Sequence, residues 1–148
     1  MSKKILLAAI NAKYIHSNLA VYCLDAYARK YSEAVKDGRV SVIYREFTIN
    51  QQIDEILEEI YREKPDVIGF SCYIWNISYV MTLIKELKVL LPHTDIWLGG
   101  PEVSYNREEI LQEHPEITGV MCGEGERVFA SLCDYYGNDT EGEFDSTP

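Results

Sequence analysis

The side chains able to do chemistry are few and scattered. The four cysteines are Cys23, Cys72, Cys122 and Cys133. No two form a C-x-x-C pair, and none has a histidine at metal-ligand spacing. That pattern builds neither a zinc cage nor a redox dithiol. Four separate thiols behave as small apolar side chains, reduced in a cytoplasmic setting. Gly69-Phe70-Ser71 begins like a nucleophile elbow but continues Cys72-Tyr73, so the G-x-S-x-G turn is missing. Asp54, Glu55, Glu58 and Glu59 crowd one helix face, and the expectation is solvated surface rather than a metal site. What remains is backbone chemistry at small residues: Ser71, Gly99 and Gly100, Gly123 and Gly125. Missing Cβ atoms let a ligand lie close against the main chain. Gly99-Gly100-Pro101 also has a simpler reading, a tight strand-to-helix turn.

Those residues fall at the ends of predicted strands. Lys4 to Ile10 is a continuous apolar run, as a strand buried on both faces requires. A helix capped by Ser17 or Asn18 runs to about Tyr31, with Leu19, Tyr22, Cys23, Ala26 and Tyr27 on one face. Tyr22, Tyr27 and Tyr31 at helical spacing read as helix packing. Asp37-Gly38 is a turn. Val40 to Phe47 alternates as a strand near an edge. Asn50 to Lys64 is amphipathic, with Ile53, Ile56, Leu57 and Ile60 inward, and Pro65 stops it. Asp66 to Ser71 is the central strand, and Asn76 to Leu91 the helix after it. Asp95 to Leu98 is a short strand with Trp97 in the core. A short helix ends at Glu113, and Thr118 to Cys122 is the fifth strand. Gly123-Glu124-Gly125-Glu126 opens a last helix, to about Tyr136.

Five strands alternating with helices define a three-layer, Rossmann-like (flavodoxin-like) doubly wound α/β sheet of parallel strands. Ligands in such sheets lie beyond the carboxyl ends of the strands. The relevant loops are 11–18, 48–51, 71–76, 99–104 and 123–126. The first contains no glycine, which excludes a dinucleotide fingerprint and a P-loop. Its only serine, Ser17, is too little for a flavin phosphate cradle. A phosphate-accepting receiver needs acids where Asn11 and Ser71 stand.

Composition fits one globular domain of 148 residues, 47% hydrophobic. Lys plus Arg total 14 against 24 for Asp plus Glu, a formal charge of −10. Such a surface repels phosphate backbones and anionic lipid, so neither nucleic acid nor membrane is expected as a partner. Residues 1–136 form the expected domain. The polar stretch 137–148 reads as a flexible tail or linker.

Ser71-x-Tyr73, with Gly99-Gly100 some 26 residues later, resembles the S-x-L…G-G pair of cobalamin-binding domains. The likeness extends from Pro65 to about Leu132. It runs through Pro65-Asp66-Val67-Ile68-Gly69-Phe70-Ser71, Asn76, Lys85, Pro92, Leu98-Gly99-Gly100-Pro101-Glu102, Gly123-Glu124-Gly125-Glu126 and Phe129. This succession is similar to the N-terminal cobalamin-binding domain of radical S-adenosylmethionine enzymes. The resemblance implies that Ser71, Cys72, Tyr73, Gly99, Gly100, Pro101, Glu102, Gly123 and Glu124 bind cobalamin, its nucleotide tail lying in a slot lined by the serine and glycines. Glu124 and Glu126 equally suit a helix start, where the dipole favours carboxylates. Tyr73 and Trp75 could pack on the corrin or on another domain.

Two departures refine that expectation. Domains that ligate cobalt through histidine carry D-x-H-x-x-G in the first loop. Here His16 is in that loop, but Tyr14 replaces the Asp and Leu19 the Gly. Without the orienting carboxylate, the expectation is cobalt with no histidine beneath it. The C-x-x-x-C-x-x-C motif of the radical chemistry is also absent. S-adenosylmethionine and a four-iron four-sulfur cluster would then belong to a C-terminal radical domain outside this sequence. The chain reads as the non-catalytic part of a methyltransferase, or of an enzyme of radical rearrangement or cyclisation, with no catalytic residue of its own. One alternative is a degenerate domain that serves as a docking or regulatory platform without corrin, recognisable by a slot filled with side chains. Another is a flavin binder or small-molecule enzyme of the same architecture, which the first loop disfavours.

Overall fold

The computed structural model describes residues 3–11, 19–73, 76–100, 107–121 and 125–137. In chain order the elements are β1 (Lys3–Asn11), α1 (Leu19–Tyr31), α2 (Glu33–Lys36), β2 (Val40–Thr48), α3 (Ile53–Glu63), β3 (Val67–Ser71), α4 (Ile77–Leu90), β4 (Asp95–Gly99), α5 (Arg107–Glu113), β5 (Gly119–Val120) and α6 (Gly125–Gly137). The strands pair in the order β2-β1-β3-β4-β5, and every pair is parallel. This is the expected doubly wound sheet, with β3 at its centre and β2 at one edge.

Alternation along the strands separates two core layers. Leu6, Ala8, Ile10, Ile68, Phe70, Ile96, Leu98 and Val120 pack on α3 and α4. Ile5, Leu7, Ala9, Val67, Trp97 and Met121 pack on α1 and α6. In α3 the inward Ile56, Leu57 and Ile60 are buried as the periodicity requires. The helix ends with Lys64 in the left-handed region, φ +46°, directly before Pro65. The acidic positions 54, 55, 58 and 59 are all exposed. Cys72 and Cys133 are buried and Cys23 is half-buried, all three as free thiols.

Three expectations need correction. First, α1 turns Val21, Asp25 and Ala28 inward, whereas Tyr22 and Tyr31 are exposed. Those tyrosines pack on one another instead: Tyr27 on Tyr31 at 4.4 Å between ring centres, and Tyr22 edge-on to Tyr44 of β2. The rings cover the outside of the helix, where an aromatic body tolerates water. Second, Ser32 caps an additional short helix, α2, through a hydrogen bond from the Val35 amide to its hydroxyl. Third, β5 pairs over only two residues.

Candidate functional site

The sheet order reverses between β1 and β3. The helix after β1 packs on one face and the helix after β3 on the other, so a crevice opens at their carboxyl ends. One buried side chain organises it. The Asn76 amide nitrogen donates to the carbonyls of Ile10 at 3.0 Å and Ser71 at 3.1 Å, and its oxygen accepts from the Tyr73 amide at 2.8 Å. Asn76 is completely buried. It fills three of its hydrogen-bonding positions with main chain, fixing the ends of both strands and the turn between β3 and α4.

Next to this clamp the β3 and β4 loops touch. The Cys72 amide donates to the Gly99 carbonyl at 2.7 Å. Gly100 follows with φ +105°. A Cβ there would overlap the Cys72 carbonyl oxygen and sit 3.0 Å from its nitrogen. Gly100 is therefore demanded by the chain's own close approach, and the room gained is taken by protein backbone.

Gly99 differs. In register across β1, β3 and β4 stand Ala9, Ser71 and Gly99, a row of small residues on the α1/α6 face at the carboxyl edge. Gly69 lies one step deeper on the same face. Together they make a floor that offers no side chain larger than a serine hydroxymethyl. Among the described residues, none takes the Ser71 hydroxyl as a hydrogen-bond partner. Over the floor runs Met121, the residue after β5. Its terminal methyl lies 3.4 Å from where a Cβ of Gly99 would be and 3.8 Å from that of Gly69.

The structure thus brings Ser71, Cys72, Tyr73, Gly99 and Gly100 together. They contribute differently: the Cys72 side chain turns into the α3/α4 core layer, leaving its main chain at the edge. His16, Trp75, Pro101, Glu102, Cys122, Gly123 and Glu124 lie outside the described residues. The second loop closes on itself, since Gln51 accepts from the Thr48 amide and its carbonyl takes the Tyr79 hydroxyl. Asn76, Ala9 and Met121 also stand at this edge; Asn76 falls within the family-like succession without a role assigned to it, and Ala9 and Met121 carry no motif. Ala9 could have been found by its register with Ser71. Asn76 precedes a helix and looks like an ordinary cap, yet its side chain makes no cap bond.

Among the described residues, no cluster of His, Cys, Asp or Glu could hold a metal ion. The strongly shifted groups serve packing elsewhere. Tyr136 donates to Asp95 at 2.6 Å and accepts from the Trp97 ring nitrogen at 2.9 Å, at the amino end of β4. Burial raises its phenol above the ordinary range, and the Asp95 hydrogen bond adds to this. Burial likewise raises the Cys133 thiol. No helix of the described residues is long and apolar enough to cross a membrane.

Fold and edge define a doubly wound α/β domain whose carboxyl edge, among the described residues, is lined by main chain and small side chains. Residues 5–133 match the family described as the B12 binding domain, and the chain belongs to that family. The cobalamin-dependent radical SAM methyltransferase TokK of Streptomyces tokunonensis is 30% identical over 107 residues, 70% of this chain and 15% of that protein. The anaerobic magnesium-protoporphyrin IX monomethyl ester cyclase of Rubrivivax gelatinosus is 29% identical over 108 residues, 72% of this chain and 19% of that protein. The structure of the cobalamin-dependent S-adenosylmethionine radical enzyme OxsB, with aqua-cobalamin and S-adenosylmethionine bound, superposes with a TM-score of 0.76 at 16% identity. The match covers 98% of this chain and 20% of that one. The chain therefore spans less than a quarter of the length of these proteins.

Proposed function

We propose that this chain seats a cobalamin at the carboxyl edge of its sheet, as the corrinoid-holding part of a larger cobalamin-dependent radical S-adenosylmethionine enzyme. The observation that carries the reading is the cross-strand row Ala9–Ser71–Gly99 at the β1/β3 switch point, with Gly69 beneath it. A flat heterocyclic tail needs a floor without side chains, and this row supplies one. Ser71 offers a hydroxyl to the tail. Asn76 and the Cys72–Gly99 hydrogen bond hold that floor and its rim rigid. Tyr73 stands on the loop above β3, where an aromatic ring can flank the corrin.

When bound, the cobalamin supplies a cobalt able to carry a methyl group or take part in radical chemistry. The chain's own contribution is to bind and orient. That contribution suits a module that presents its cofactor to a radical domain. Pro101, Glu102, Gly123 and Glu124 would complete the rim, and cobalt would have no histidine beneath it. The stretch 137–148 would lead toward the radical domain, and the larger enzyme's reaction would be methyl transfer, rearrangement or cyclisation.

The test is a visible-spectrum titration of the purified chain with hydroxocobalamin, followed by desalting. Stoichiometric retention, lost in Gly99→Leu, supports the reading. No retention by this chain, or undiminished retention by Gly99→Leu, refutes it. An unchanged spectrum in His16→Ala is expected, and a changed one would show histidine ligation.

A further inference from the structure

Among the described residues two side chains meet the floor: Leu7 reaches the Gly69 position, its Cδ2 3.2 Å from where a Cβ would be, and Met121 spans both Gly69 and Gly99. Met121 reaches back from the end of β5, and its methyl stands at contact distance over both Gly99 and Gly69. The Met121 amide is tied to the Leu98 carbonyl at 2.7 Å, so its backbone is fixed to β4 and only the side chain can move without breaking that bond. The residue is 7% exposed and belongs to the α1/α6 core layer. Methionine has an unbranched, flexible side chain with a soft thioether, suited to filling an irregular gap and to leaving it again. A leucine or isoleucine there would be branched and stiffer. Without a side chain from positions 69 and 99, the space above them would be a void in a close-packed layer, which protein interiors avoid.

We infer that Met121 is a displaceable plug of the nucleotide-tail slot. Its side chain fills the floor when no tail lies there and must swing aside for one to enter, so that Met121 sets how strongly tail-bearing corrinoids are bound relative to tailless ones. This rests on the reading that the tail lies on the Ala9–Ser71–Gly99 floor. The tail and the thioether methyl require the same volume above Gly69 and Gly99. Binding therefore selects the rotamers of Met121 that leave it open, and apparent affinity falls by the fraction of time it is open. A corrinoid without a nucleotide tail does not need that volume and bypasses the plug.

The experiment compares hydroxocobalamin with cobinamide, which lacks the tail, on the unmodified chain, Met121→Ala and Met121→Leu. Affinity is read from the corrin spectrum, and the methionine methyl groups from 13C-methyl NMR. The chain has three methionines, so the Met121 resonance is identified by its loss in Met121→Leu. The expected result is a Met121 methyl that shifts with hydroxocobalamin and stays in place with cobinamide, while the methyl of Met81, on α4, stays in place with both. Met121→Ala should bind hydroxocobalamin more tightly, on the order of tenfold if the slot is covered nine-tenths of the time, with cobinamide unchanged. Met121→Leu, whose side chain is shorter by one atom, should fall between. The methyl measurement needs no folded alanine variant, so it decides the matter even if Met121→Ala melts early. Retention of hydroxocobalamin with an unmoved Met121 methyl overturns the plug and leaves the cobalamin reading intact. An equal effect of Met121→Ala on both corrinoids does the same. If the unmodified chain binds neither corrinoid, the cobalamin reading falls and the plug with it.

Discussion

The side chain of Asn76 hydrogen-bonds the carbonyl of Ile10, 66 residues earlier, from a fully buried position. The same amide group holds the Ser71 carbonyl and the Tyr73 amide, so the crevice is shaped by one residue that no ligand needs to touch. Asn76→Ala leaves buried main-chain groups without partners, at a cost of about 1–3 kcal/mol for each one left unsatisfied. Asn76→Asp should be worse, because a carboxylate oxygen would replace the donating nitrogen and face two carbonyl oxygens. Thermal melts should rank wild type above Asn76→Ala above Asn76→Asp. Melting of both variants at the wild-type temperature would show that the amide donor is unimportant.

Gly100 and Gly38 both have positive φ, +105° and +79°. Only Gly100 faces protein within 4 Å of a would-be Cβ. Gly38→Ala should therefore cost only backbone strain, on the order of 1 kcal/mol. Gly100→Ala adds a collision with the Cys72 main chain and should cost more, with weaker retention of hydroxocobalamin because the β3 and β4 loops are forced apart. Chemical denaturation and the corrin spectrum measure the two effects separately.

Glu63 ties the end of α3 to two strands, accepting from Arg45 of β2 at 2.6 Å and from Lys4 of β1 at 3.1 Å. The hydrogen bonds from Arg45 and then Lys4 hold its carboxyl below the ordinary 4.5. With a folded value below the unfolded one, the stabilisation is fully present above about 4.5 and is lost as pH falls through the folded value. These are partly solvated pairs, worth roughly 0.2–1 kcal/mol. Glu63→Gln should melt slightly below wild type at pH 7, and the gap should close as the pH drops below 4.5. A gap that widens in acid would contradict the sign.

Cys133 is fully buried on α6, and burial, then Asp134 and Asp25, raises its thiol well above the ordinary range. Thiolate is the reactive form. Alkylation of the native chain at pH 8, mapped by peptide, should label half-buried Cys23 first. Cys133 and Cys72 should be modified only after denaturant is added. Rapid native labelling of Cys133 would mean that the α1/α6 layer opens readily.

The sheet was legible because its strands are written as apolar runs. Ile5 to Ile10 and Val67 to Phe70 leave no polar position at which a buried strand could face water. The outward tyrosines of α1 misled because Tyr22 and Tyr27 look apolar by type, although ring-on-ring contacts at a surface satisfy them equally well. Buried Asp25 was hidden for the opposite reason: its charge is met by Arg29 one turn later, at 3.0 Å. At the site, the family motif residues Ser71, Gly99 and Gly100 could be read directly, but not why Gly100 must be glycine, since the neighbouring Cys72 backbone comes from a different loop. Met121 carries no motif. Its position over Gly69 and Gly99 exists only once β3, β4 and β5 are in register.

That register has a consequence for how the chain folds. The floor takes Ala9 from the first strand, Ser71 from the third and Gly99 from the fourth, and its cover from beyond the fifth. Parallel pairing means that none of these neighbours comes from a local hairpin. The β3–α4–β4 unit brings Gly69, Ser71 and Gly99 together, but the seat is complete only when β1 and the residue after β5 have joined, so a ligand that needs all of it would recognise only molecules that have completed the sheet. Its binding energy then adds to the unfolding of the whole domain, about 2.7 kcal/mol at a free concentration one hundred times Kd. Occupancy of the seat becomes a readout of successful folding.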